Sequence, residues 1–247
     1  MSRKFGIDGL DRLLGGGFDE SSSIGILGEP GTDRDLFNHI FTETGVKNNE
    51  PTIYFCSNNR PMFLRQDFEK REINESECLE IVDCYSWKLG KPDSSEDLVM
   101  GSSNLNEFLN LYNKARKKIG NDGRSVIDSI INIVDFEDLS AINNVLQILF
   151  AEEQNSNNSL LISISSDYRK KIINLIESYV SGFIELKRLR GNKYIKVHWM
   201  SNNDYKERWH QYSIEKGVSK NSALRVIIGD EVGDELNIEL TKKSGLI

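Results

Sequence analysis

Residues 28–35 read Gly28-Glu29-Pro30-Gly31-Thr32-Asp33-Arg34-Asp35, the frame of a phosphate-binding loop. The working pattern is G-x-x-x-x-G-K-[S/T]: its glycines let backbone N–H groups approach phosphates, its lysine reaches the β/γ oxygens and its hydroxyl holds Mg²⁺. Gly28 fits the frame, but Asp33 stands at the second glycine, Arg34 at the lysine and Asp35 at the hydroxyl. Two carboxylates in such a loop repel a triphosphate, since unit charges about 4 Å apart cost about 4 kcal/mol at an effective dielectric of about 20. Arg34 offsets part of this, because Arg binds phosphate well. A helix N-terminus attracts an anion, and Thr32, Asp33 and Asp35 are placed to cap its N–H groups from within the chain, worth about 0.5–2 kcal/mol. The frame of a nucleotide site is present without its chemistry.

Other reactive side chains give weaker signals. Cys56, Cys78 and Cys84 are odd in number and lack metal-ligand spacing, so reduced core thiols are expected. His198 and His210 flank an aromatic-rich segment with no third ligand in spacing, which favours packing or surface roles. Lys187, Arg188, Arg190, Lys193 and Lys196, interleaved with Tyr194 and Trp199, form the clearest basic cluster. Bases could stack on such a strand pair, yet a net charge of −7 favours a solvated hairpin and disfavours nucleic acid as a partner.

These residues must be positioned by strands alternating with helices. β-like runs at Ser23–Leu27, Pro51–Ser57, Leu79–Cys84, Arg124–Asp128 and Ser159–Ser165 are separated by helical patterns from loop 28–35 to about Thr44, then at Arg60–Glu72, Asn104–Ile119, Glu137–Glu153 and Tyr168–Tyr179. That order predicts a mainly parallel sheet covered on both faces. Beyond it, Gly182–Arg190 and Lys193–Trp199 read as a hairpin turning at Gly191-Asn192, Arg208–Ile214 as a strand, and Ala223–Gly229 with Glu235–Thr241 as a second hairpin. The 247 residues carry 38% hydrophobic residues and no Gly-, Ser- or Pro-rich linker, so one domain over 1–247 is expected. The apolar runs are strand-sized and the N-terminus lacks a secretory segment, so the expectation is a soluble, cytoplasmic protein without a membrane partner.

Four ordered segments carry a family resemblance. Residues 6–18, Gly-Ile-Asp-Gly-Leu-Asp-Arg-Leu-Leu-Gly-Gly-Gly-Phe, resemble the "GIPGLDELLGGGI" opening of KaiC-like and RadA-like domains of the RecA superfamily of P-loop ATPases. Gly28–Thr32 is similar to their "GEPGT" loop start, Val82–Trp87 to the "DCYSW" strand end of the archaeal type, and Ser125–Ser129 to their Walker B strand. The resemblance spans about residues 5–214. It implies a RecA-like three-layer α/β sandwich with C-terminal antiparallel strands, and leaves 215–247 as a β extension without a counterpart. It also makes Asp128 the Walker B residue that would orient Mg²⁺ through water. With Asp35 in place of the metal-binding hydroxyl, hydrogen bonding to a neighbouring loop is the favoured role for Asp128.

The same resemblance shows what differs. Family members that hydrolyse ATP carry a Glu pair after the second strand, one acting as general base; here Phe55–Pro61 offers Asn58 and Asn59, and an amide takes no proton at neutral pH. A neighbouring subunit normally presents Lys and Arg from a "KMRG" strand, where Val197–Ser201 carries neither. The reading is therefore a KaiC-like pseudo-ATPase, with no catalytic residues and a degenerate loop at Gly28–Asp35. It would act as a regulatory, signalling or scaffold subunit on itself or on an active KaiC-like paralogue. No cofactor is expected, Mg-ATP being the only one worth testing. Two alternatives stay open: an unorthodox ATP-binding ATPase using Arg34, and a RadA-paralogue-like binder of single-stranded DNA through 187–199.

Overall fold

The strands expected in the core are apolar on both faces, and all six residues of Ser23–Gly28 are buried, as a parallel strand under helices requires. A computed structural model of the protein describes residues 2–73, 77–90, 98–102, 104–133, 139–201, 204–216 and 224–244. In chain order the elements are β1 (Ser2–Arg3), α1 (Asp8–Leu13), β2 (Phe18–Asp19), β3 (Ser23–Gly28), α2 (Arg34–Lys47), β4 (Thr52–Cys56), α3 (Pro61–Lys70), β5 (Leu79–Asp83), β6 (Leu98–Val99) and α4 (Leu105–Ile119). They continue with β7 (Arg124–Ile127), α5 (Leu139–Asn155), β8 (Ser159–Ser165), α6 (Lys170–Glu177), β9 (Gly182–Leu189), β10 (Asn192–Met200), β11 (His210–Lys216), β12 (Leu224–Glu231) and α7 (Asp234–Lys242). Residues 134–138, at the start expected for α5, lie outside the described residues.

Ten strands form one sheet in the order β12-β11-β10-β9-β3-β8-β7-β4-β5-β6, with β1 and β2 paired separately. From β9 to β6 every pairing is parallel. From β9 to β12 every pairing is antiparallel. Alternation along β3 sends Ile24 and Ile26 to one face and Leu27 to the other. On the first face they meet Leu10 and Leu13 of α1, Phe37 and Phe41 of α2, and Leu64 and Phe68 of α3. On the second, α4, α5 and α6 supply Phe108, Leu146, Leu149, Ile172 and Ile176. This is the three-layer α/β sandwich expected.

The opening segment earns its spacing through Asp11. Its carboxylate accepts the backbone N–H of Phe5 at 2.6 Å and of Gly6 at 3.1 Å, tying the N-terminal strand to α1. At the end of β5, Asp83 accepts from the backbone N–H groups of Tyr85 and Ser86 (2.9 and 2.8 Å), and the Trp87 indole donates to the Cys84 carbonyl at 3.1 Å. Both segments noted in the sequence are thus local backbone devices.

Two readings are corrected at the C-terminus. Glu235–Thr241 is not a strand: it lies inside helix α7. The apolar alternation Leu236, Ile238, Leu240 resembles a strand, but Leu236 and Leu240 are also one helical turn apart, and only they join the small cluster with Trp209, Tyr194 and Leu189, while Ile238 is 52% exposed. Asp234 and Glu235 in the first turn and Lys242 in the last suit the helix dipole. The first hairpin turns at Arg190-Gly191, one residue earlier than expected, with Leu189 facing Asn192. Both turn residues have positive φ, 53° and 84°, the geometry that continues the twist of two antiparallel strands.

Candidate functional site

In a parallel sheet the loops at the strand C-terminal ends gather on one rim. There β3 runs into α2, β4 into α3, and β7 ends beside them. Gly28, the last residue of β3, has no room for a side chain: a β-carbon would lie 2.7 Å from the Thr32 hydroxyl. Glu29 accepts both the Thr32 N–H (3.2 Å) and its hydroxyl (2.7 Å) on its carbonyl, which closes the loop over Pro30 and Gly31. Gly31 has φ +82°. Thr32 is fully buried, and its carbonyl accepts the Tyr212 hydroxyl at 2.5 Å.

Asp33 occupies the N-cap of α2 with φ 53° and ψ 38°, a left-handed conformation, and makes no side-chain cap. This corrects the expected capping by Thr32, Asp33 and Asp35. The left-handed turn directs the Asp33 carboxylate outward to the ammonium of Lys193. Thr32 donates backwards to Glu29, and Asp35 accepts from the Asn58 amide at 3.4 Å. Arg34 folds back over the loop, one guanidinium nitrogen donating to the carbonyls of Gly28 (3.0 Å) and Ile164 (2.5 Å). These are the ends of β3 and β8, so the cation neutralises strand-end carbonyls rather than projecting into solvent. Its Nε is buried with no hydrogen-bond partner among the described residues.

Asp128 follows β7 and is 3% exposed. One carboxylate oxygen accepts the Ser57 backbone N–H at 2.9 Å and the Ser57 hydroxyl; the other accepts the Asn58 N–H at 3.2 Å. Burial raises its carboxyl from 3.8 to about 6, against the lowering effect of those donors. Asn58 donates to the Asp128 carbonyl at 3.1 Å and accepts from the Asn132 amide at 2.8 Å. Asn58 is therefore a fixed amide, hydrogen-bonded through both its oxygen and its nitrogen. Ser57, Lys193 and Tyr212 were not singled out for this site; the last two lie 160 and 180 residues from their loop partners, and spacing carries no signal over that distance.

The basic cluster is largely neutralised within the chain. Lys187 is buried and donates to the Leu240 carbonyl (3.1 Å) beside Glu185; Arg190 pairs with Glu239, Lys193 with Asp33 and Lys196 with Glu207. Arg188 is exposed, and a β-carbon on Gly31 would come within 3.3 Å of its guanidinium. Trp199 stacks on Phe183 at 5.1 Å, which uses one aromatic face inside the fold. His198 Nε2 donates to the Glu185 carboxylate at 2.8 Å, while His210 Nδ1 donates to the Gly229 carbonyl at 3.2 Å. Among the described residues no three His, Cys, Asp or Glu side chains are grouped to hold a metal, and no helix is long and apolar enough to cross a membrane.

Comparison with known proteins agrees with this architecture. A UPF0273 protein of Pyrococcus furiosus is 28% identical over 151 residues, covering 59% of this chain and 61% of that one. A UPF0273 protein of Methanocaldococcus jannaschii is 28% identical over 137 residues, 53% of this chain and 56% of its own. The chain thus aligns with about three fifths of the length of these relatives. The crystal structure of a KaiC-like protein from the hyperthermophilic archaeon Pyrococcus horikoshii superposes with a TM-score of 0.71 at 19% identity, over 93% of this chain and 99% of that one, a likeness of fold. The family model described as "ATPase: KaiC" matches residues 3–220, and on that match the chain belongs to the KaiC family of ATPases.

Proposed function

We propose that this KaiC-family protein works without hydrolysing ATP, as a regulatory or scaffold subunit acting through protein contacts. One observation carries the reading: the side chains that would serve a nucleotide are bound within the chain. Arg34 is held by Gly28 and Ile164, Asp33 by Lys193, and Asp128 by Ser57 and Asn58. An incoming triphosphate must break these contacts and approach two carboxylates. No group at the Asn58 position takes a proton from water. The partner is a second copy or an active KaiC-like paralogue that supplies the nucleotide. Regulation or signalling in such a pair follows from contact rather than chemistry.

Arg188 favours a second reading, in which the chain binds Mg-ATP without the usual lysine. Its guanidinium lies beside Gly31, where it could meet a phosphate entering the loop. Calorimetric titration with Mg-ATP and Mg-ADP separates the two. The natural chain is expected to release no heat of binding, and the Asp33→Gly/Arg34→Lys/Asp35→Thr variant to bind. Binding by the natural chain overturns the non-catalytic reading and makes Arg34 and Arg188 the residues to study.

A further inference from the structure

The two ends of the ten-stranded sheet are unlike. One edge, β6, is two residues long; the other, β12, is eight. An edge strand keeps one row of backbone N–H and C=O groups off the ladder, and long uncharged edges invite another strand. β12 exposes Leu224 at 41% and Ile227 at 43%. Beside it lies an open groove of about 730 Å³, walled by α1 and by the C-terminal turns of α2 and α3, with Ile7, Arg12, Lys47 and Arg71 among its lining. Arg71 donates to the Leu224 carbonyl at 3.2 Å, which fixes where the strand begins.

Charge along β12 is polarised. Arg225 stands at its start, Asp230 and Glu231 at its end, and all three are exposed. Among the described residues neither Arg225 nor Asp230 has an ion-pair partner, and Glu231 has only a 3.7 Å contact with Arg208. Between them Val226, Ile227 and Ile228 are uncharged. Two such strands laid parallel set like charge on like. Laid antiparallel about a two-fold axis, they set Arg225 of each against the acidic end of the other, twice. Opposite charges across strands stabilise a pair and like charges destabilise it. A two-fold interface uses the same patch on both subunits; Arg225 opposite Glu231 puts the axis at Ile228, with the exposed Ile227 next to it. The bulge in β12 opposite His210–Tyr212 falls at the acidic end and leaves Leu224–Ile228 as the regular stretch.

We propose that β12 pairs antiparallel with β12 of a second copy of this chain, joining the two sheets across a two-fold axis. This goes beyond the functional reading and holds whether or not the loop takes a nucleotide. Sedimentation velocity of the full chain over a concentration series, with and without Mg-ATP, tests it. The natural chain is expected to form a dimer in both conditions. Ile227→Lys and Arg225→Glu each weaken it by about tenfold or more, with unchanged circular dichroism. The reversed set Arg225→Glu/Asp230→Lys/Glu231→Lys restores it. A monomer at every concentration, an assembly indifferent to Ile227→Lys and Arg225→Glu, or a failure of the reversed set to recover association overturns the proposal.

Discussion

At position 33 an aspartate does the backbone work of a glycine. Asp is among the few residues that enter the left-handed region without a large penalty, through local polar contacts, and Asp33 does so at φ 53° while its carboxylate meets Lys193. Asp33→Gly and Asp33→Ala both lose that ion pair, but only alanine brings a β-carbon into the left-handed turn. Chemical denaturation is therefore expected to find Asp33→Ala less stable than Asp33→Gly by about 1 kcal/mol. Equal stabilities would mean that the turn relaxes in the variants. Asp128 yields a pH test. A carboxyl raised from 3.8 to about 6 in the folded protein by burial contributes stability that is present below about pH 3.8 and lost as pH rises through about 6. Asp128→Asn removes this dependence. The melting temperature of the variant relative to the natural chain is thus expected to rise between about pH 4 and pH 7, whatever its offset from altered hydrogen bonds with Ser57 and Asn58. A difference that stays flat with pH would show that Asp128 is ionised at ordinary cost. The identities of Gly28–Asp35 and Asp128 were legible in the sequence. That Asp33 points outward and Arg34 inward was not, because both depend on one backbone conformation and on carbonyls from β8.

Among the elements, helices and parallel strands with strong periodicity were legible to within a few residues. Leu105–Ile119 begins at an Asn104 whose side chain accepts from Asn106 and Glu107 N–H groups, a local cap that sequence reveals. The failure at α7 came from a nine-residue segment in which spacings of two and four coincide at Leu236 and Leu240. Trp209 and Val232 decide the case by offering one apolar site, which a helix fills with two leucines while turning Ile238 to solvent. The β9–β10 hairpin allows an element-scale test. Arg190 adopts φ 53° at the first turn position, and its ion pair with Glu239 is exposed at the Arg end, 73% against 31%, so worth little. Arg190→Asn is expected to raise stability by about 0.5–1 kcal/mol in urea unfolding. A loss of stability would show that the Glu239 contact, and with it the seat of α7 on the hairpin, matters more than the turn.

Across the whole molecule the C-terminal strands are joined to the rim loops. Tyr212 of β11 holds the Thr32 carbonyl, Lys193 of β10 holds Asp33, and the β9 backbone at Arg188 donates to Glu29 at 3.4 Å. On the other face Lys187 of β9 donates to the Leu240 carbonyl near the end of α7, and on the α3 face Arg71, the residue after α3, reaches the start of β12. With contacts of this kind the segment 224–244 is expected to melt with the rest. Leu240 is fully buried, and Leu240→Ala is expected to cost about 2–5 kcal/mol with a single transition. Fluorescence of Trp87, Trp199 and Trp209 and far-UV circular dichroism should then give one midpoint. Separate midpoints, with Leu240→Ala lowering only the earlier one, would make α7 an independent unit.

The sequence by itself determined the class of the fold, because alternating apolar runs and helical stripes record which faces are buried, and the ordered segments at residues 6–18, 28–32, 82–87 and 125–129 record local turns and caps that neighbours in the chain complete. It also determined that Asp33, Arg34 and Asp35 open α2, since that is a matter of residue type. Tertiary structure alone decided where each substituted side chain goes: Asp33 to Lys193, Arg34 to the ends of β3 and β8, Asp128 to the β4 loop. It alone placed Leu236 and Leu240 on a helix and left β12 at the open edge. The side-chain placements depend on partners 71 to 180 residues away, the helix on a cluster that includes Trp209, and the edge on which strand is last in the sheet. None of these leaves a mark in local spacing.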